Sequence, residues 1–121
     1  MIRAVADEKV EIVRSTSSGV VGRARNTTRD AALVLDSSSR PQADAFTNSE
    51  AFLAGVSSCG VTLIEMHAKE TGVPLTRIQV TIEGARSGAQ PNRFASVSMT
   101  FEIAGVSQAQ ADELVKTYRG R

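Results

Sequence analysis

A chain of 121 residues, 41% hydrophobic and 22% charged, has single-domain length and can bury a core. Its net charge of +1 gives no general attraction to nucleic acid or to a membrane surface. The single cysteine excludes an intrachain disulfide. With one histidine in the whole chain there is no His/Cys cluster for a structural zinc, and no metal or cofactor is expected.

The first nine residues, Met1-Ile-Arg-Ala-Val-Ala-Asp-Glu-Lys9, put charges where a signal peptide needs an apolar run. No apolar stretch approaches the roughly 18 residues of a membrane span. The expected location is the cytoplasm.

In chain order, Lys9–Arg14 alternates as a strand, and Val20–Arg25 follows as a second after a Ser/Gly turn. Ala31–Asp36 is a third, short and largely apolar. Ser37–Asp44 is polar and turn-rich, so a loop is expected. Thr47-Asn-Ser-Glu50 fits a capping box, a hydroxyl followed three residues later by a glutamate. A central helix should then run from about 48 to 71, with Gly72 as its stop.

Along that helix Phe52, Val56, Cys59, Leu63 and Met66 recur at three- and four-residue spacing. They predict the main apolar stripe, mostly core, with Leu53 and Ile64 widening it. Residues 76–84 and 94–104 alternate as strands and should pair as a hairpin across a long loop. Ser107-Gln-Ala-Gln110 is a second capping box, opening a helix with Ala111, Leu114 and Val115 inward. The order β-β-β-α-β-β-α, with strands joined by hairpins, predicts an α+β fold. Neither repeat nor linker is visible, so one domain over 1–121 is expected.

Cys59 sits among small residues, Ala54, Gly55, Ser57, Ser58 and Gly60. A helix lined this way can approach a partner helix closely, and a second copy would make the contact two-fold. A cysteine nucleophile acts as a thiolate and needs a positive neighbour or a helix N-terminus. Cys59 lies about three turns inside its helix, too deep for the helix dipole to help. His67 is about 12 Å up the axis and roughly 80° around, so it cannot pair with Cys59 in the same helix. An arginine from the β-rich N-terminal part is the better activator: Arg14, Arg23, Arg25, Arg29 or Arg40.

The segment Thr47–Leu63 resembles the central helix of the OsmC/Ohr family of thiol-dependent peroxidases. Asn48-Ser-Glu50 matches the family's helix start, and Ser57-Ser-Cys59 matches its approach to the cysteine. Gly72-Val-Pro-Leu, leading through Ile78, Val80 and Ile82 to Gly84, matches the passage that follows. The resemblance covers roughly residues 9–118. It implies an intertwined homodimer of antiparallel sheets around a long central helix.

The resemblance also implies that a peroxidatic cysteine attacks the O–O bond of an organic hydroperoxide or hydrogen peroxide. A nearby arginine activates that cysteine, and a glutamate holds the arginine. By position these are Cys59, Arg23 and Glu50. Glu50 is about 14 Å from Cys59 along the axis and on the opposite helix face, so it would have to reach across a dimer. It also stands one residue nearer the cysteine than in peroxide-specialised members. The family's resolving cysteine follows the last helix, beyond Arg121, so this chain needs an external thiol or lacks a C-terminal segment. The competing expectation is a non-enzymatic dimer with a structural cysteine and an apolar groove for a small ligand.

Overall fold

Alternating strands and two capped helices give the order β1 (Arg14–Ser17), β2 (Arg23–Thr28), β3 (Ala31–Asp36), β4 (Phe46–Thr47), α1 (Asn48–Thr71), β5 (Arg77–Ala85), β6 (Ser96–Ala104) and α2 (Gln108–Arg119). The computed structural model describes residues 8–120. The N-terminal stretch weighed against a signal peptide falls mostly outside them. The α+β class and the order of elements are as expected, with the two-residue β4 added. The chain divides into two compact units, Met1–Ala51 and Phe52–Arg121. No linker marks the division, because α1 runs through it.

Unit 1 is a four-stranded sheet in the order β1-β2-β3-β4. Strand β2 pairs antiparallel with β1 and with β3, and the turn Arg29–Asp30 closes the second hairpin in two residues. Arg29 adopts a φ of 50° there, the left-handed geometry that two-residue hairpin turns demand. Two strand boundaries differ from expectation. Lys9–Val13 is not strand, and β1 begins where that pattern ends. Val20–Gly22 forms the turn, with Gly22 at φ 88°, so β2 begins at Arg23. β4 pairs parallel with β3, setting Leu35 opposite Phe46 and Asp36 opposite Thr47.

α1 starts at the expected box. The Glu50 N–H donates to Thr47 Oγ1 at 3.2 Å, and the Thr47 N–H donates to Glu50 Oε1 at 2.9 Å. It ends at Gly72, whose φ of 71° turns the chain so that the Val73 N–H reaches the Ala68 carbonyl at 2.9 Å.

Unit 2 packs the rest of α1 and all of α2 with the β5–β6 hairpin. Its core is Ile64, Ala68 and Leu114, with Val73, Leu75, Ile78, Phe101, Ile103 and Tyr118 packed around it. Burying a side chain such as Ile64 contributes about 1.5–3 kcal/mol. The buried positions of α1 are Gly60, Ile64 and Ala68, four residues apart. The expected stripe is therefore corrected. Phe52 and Met66 are 61% and 57% exposed, and Cys59 is exposed beside them. The 3–4 spacing is real, but Met99, Phe101 and Tyr118 press against the Gly60 side of the helix instead.

The second capping box, on α2, forms as expected. α1 is also long and apolar enough to cross a membrane by length and composition alone. This corrects the expectation that no stretch comes near such a span. Glycine, serine, threonine and cysteine interrupt the aliphatic residues, so no unbroken apolar run catches the eye.

Candidate functional site

Arg23 is the first residue of β2 and Asp36 the last of β3, and the register sets them directly opposite each other. Their side chains form a two-point ion pair. Nε donates to Asp36 Oδ1 at 2.8 Å and Nη2 to Asp36 Oδ2 at 3.2 Å. Asp36 is the most buried of the described residues of unit 1, at 1% exposure, and Arg23 supplies the charge that permits it. The Gln42 N–H also donates to Asp36 Oδ2, at 3.2 Å.

A second carboxylate reaches the same cation. Arg23 Nη2 donates to Asp44 Oδ1 at 2.6 Å and Nη1 to Asp44 Oδ2 at 3.4 Å. The Asp44 side chain is 73% exposed. The hydrogen bonds from Arg23 hold both carboxyls below the usual aspartate range, and the two aspartates push the arginine higher still. Val20, Val21, Gly22, Arg40 and Gln42 join these three around a cavity of about 240 Å³.

Among the described residues, Arg23 is the one of the five candidate arginines held in a salt bridge. Arg14 and Arg25 are exposed strand residues, Arg29 is in the hairpin turn, and Arg40 lines the cavity. Glu50 shares unit 1 with Arg23, but its carboxylate closes the capping box at Thr47. Within the single chain the carboxylates on Arg23 are those of Asp36 and Asp44. Sequence reasoning missed Asp36 and Asp44. A usable signal was there: an acid ending an apolar strand, and a two-residue turn that pairs it with Arg23.

Cys59 lies in unit 2 with its thiol exposed, one residue before the buried Gly60. The α1 backbone around it is tied on several sides. The Tyr118 hydroxyl donates to the Val56 carbonyl at 3.4 Å, and Thr62 Oγ1 donates to the Ser58 and Cys59 carbonyls at 3.1 and 3.4 Å. His67 is half-buried and lines a groove with Glu113 and Leu114.

The family described as OsmC-like protein matches residues 41–121. Among solved structures, an OsmC like protein from Mycoplasma pneumoniae is similar with a TM-score of 0.78 and 17% identity, over 95% of this chain and 83% of that one. An organic hydroperoxide resistance protein OsmC from Legionella pneumophila gives 0.67 and 22%, over 93% and 83%. The organic hydroperoxide resistance protein OhrB of Bacillus subtilis gives 0.63 and 16%, over 93% and 84%. No curated protein matches the chain.

Proposed function

This chain belongs to the OsmC-like protein family, and from that premise we propose that it is a cytoplasmic thiol peroxidase acting through Cys59. The observation that carries this reading is the exposed Cys59 thiol, on the helix that the family match covers. The names of the Legionella and Bacillus proteins supply the substrate class, organic hydroperoxides; hydrogen peroxide is the smaller alternative.

The Cys59 thiolate attacks one peroxide oxygen. An S–O bond forms as the O–O bond breaks, and two electrons pass from sulfur to the departing oxygen. That oxygen takes a proton and leaves as an alcohol, or as water from hydrogen peroxide. Cys59 is left as a sulfenic acid. A small external thiol then attacks the sulfur, expels water and leaves a mixed disulfide. A second such thiol releases Cys59 as thiolate. Arg23 is the cation assigned to steady the thiolate and the leaving oxygen.

The working form in this reading is a homodimer. Phe52, Val56, Cys59, Leu63 and Met66 alternate by four and three residues, the spacing of a helix–helix seam, and three of the five are exposed. A second copy of α1 is the natural cover for the exposed Phe52 and Met66 of that face, with the Cys59 thiol left open to the peroxide. The competing reading is a ligand-binding dimer with a structural cysteine. It draws support from a second apolar feature, a groove of about 330 Å³ lined by Val13, Ala31, Ala32, Leu33 and Leu35.

The two readings part on thiol chemistry. Cumene hydroperoxide should oxidise Cys59 far faster than free cysteine and leave a sulfenic acid that dimedone traps, with C59S as the blank. A rate no better than free cysteine, or no adduct, would overturn the peroxidase.

A further inference from the structure

We propose that Asp36 and Asp44 act on Arg23 in opposite senses: Asp36 positions the guanidinium, and Asp44 competes for its charge. The inference rests on the reading that Arg23 serves Cys59, and it moves the carboxylate role from Glu50 to two residues of the Arg23 cavity.

The two contacts differ in kind. Asp36 is buried, fixed opposite Arg23 by the ladder, and further held by the Gln42 N–H. It takes Nε and one hydrogen of Nη2, which fixes the guanidinium plane. Asp44 lies in the 37–45 segment between β3 and β4, and its side chain is largely in water. Its second contact, Nη1 to Oδ2 at 3.4 Å, is the longest of the four. Nη1 therefore has hydrogen-bonding capacity left for another acceptor.

Charge then assigns the senses. With Arg40, two cations and two ionised carboxylates line the cavity, a neutral set that does not favour a further anion; without Asp44 the set carries +1. Without Asp44 the pair with Asp36 is neutral and keeps Nη1 and half of Nη2 to offer. Without Asp36 the cation loses its orientation. The other charged group lining the cavity is Arg40, and Glu50 is engaged at the helix cap.

The test is the pH profile of Cys59 alkylation by iodoacetamide in the full chain, with thermal melting recorded alongside. R23Q should slow alkylation near neutral pH by about tenfold, one unit of thiol titration. D36N should slow it comparably. D44N should speed it by about three- to tenfold, and D44E should restore the parent profile. Asp44 is exposed, so D44N and D44E keep the test alive should D36N fold poorly. A slow R23Q beside a D44N that is no faster than the parent overturns this proposal and leaves the role of Arg23 standing. An R23Q profile equal to the parent's overturns the role of Arg23, and this proposal with it.

Discussion

Among the described residues, the two buried ones of unit 1 are polar, Asp36 and Thr47, while unit 2 buries Ile64, Ala68 and Leu114. Unit 1 leaves many apolar side chains outside: Val20, Val21, Leu33 and Phe46 are all more than half exposed. Unit 2 has an apolar nucleus of its own, and its hairpin faces that nucleus through Ile78, Phe101 and Ile103. The order of unit 1 depends on ladders, an ion pair and a helix cap. Such links orient groups well and contribute little net stability, since each exchanges with water. The difference separates a part that positions charge from a part that carries the packing energy.

That contrast makes quantitative demands. The largest effect should come from unit 2. L114A removes a nearly fully buried side chain and should cost about 2–5 kcal/mol of unfolding free energy, read by chemical denaturation. A cost under about 1 kcal/mol would mean that the nucleus lies elsewhere.

Acid should act on unit 1. The folded-state carboxyls of Asp36 and Asp44 titrate below their ordinary value. Their contribution is complete above the unfolded value of about 4 and is lost as pH falls through the folded values. Hydrogen exchange corrected for intrinsic rates should show β2 and β3 losing protection as pH falls below about 4, while β5 and β6 keep theirs. Equal loss in both hairpins would remove the contrast.

The smallest effect belongs to Gly60. An added Cβ would meet Met99, Tyr118 and Phe101 at 3.4–3.6 Å, ordinary contact distances. G60A should therefore gain helix propensity, about 1 kcal/mol or less, and raise the melting temperature slightly. A fall would mean that the aromatic packing there has no slack.

Periodicity and punctuation made most of the fold legible. Both capping boxes, the bounds of α1, the β5–β6 hairpin and β3 follow from local patterns that the structure reproduces. The errors came where two signals competed. Lys9–Val13 alternates like a strand, but the ladder starts at Arg14. The 52–66 stripe marks an apolar face of α1, whereas the face buried in this chain is the one with the smallest residue, Gly60. Periodicity finds apolar faces without saying what covers them. In the site, sequence placed Arg23 in a strand and Glu50 at a cap, and both are there. The partner of Arg23 was hidden because a cross-strand pair depends on where the turn falls, and the turn residues Arg29 and Asp30 are not the usual Asn-Gly.

The parallel pairing of β3 with β4 is only two residues long, yet it sets Asp36 beside Thr47. The anchor of the arginine and the cap of α1 are thus neighbours in one ladder, and the 37–45 segment is a loop hung between them. Lengthening a loop costs little, about 0.6 kcal/mol for each doubling. Insertions after Arg40 could carry Asp44 away from Arg23 while the ladder stays closed. Loop length would then act as a dial on the charge of the cluster, open to natural variation or protein engineering without a change to any residue of the ladder.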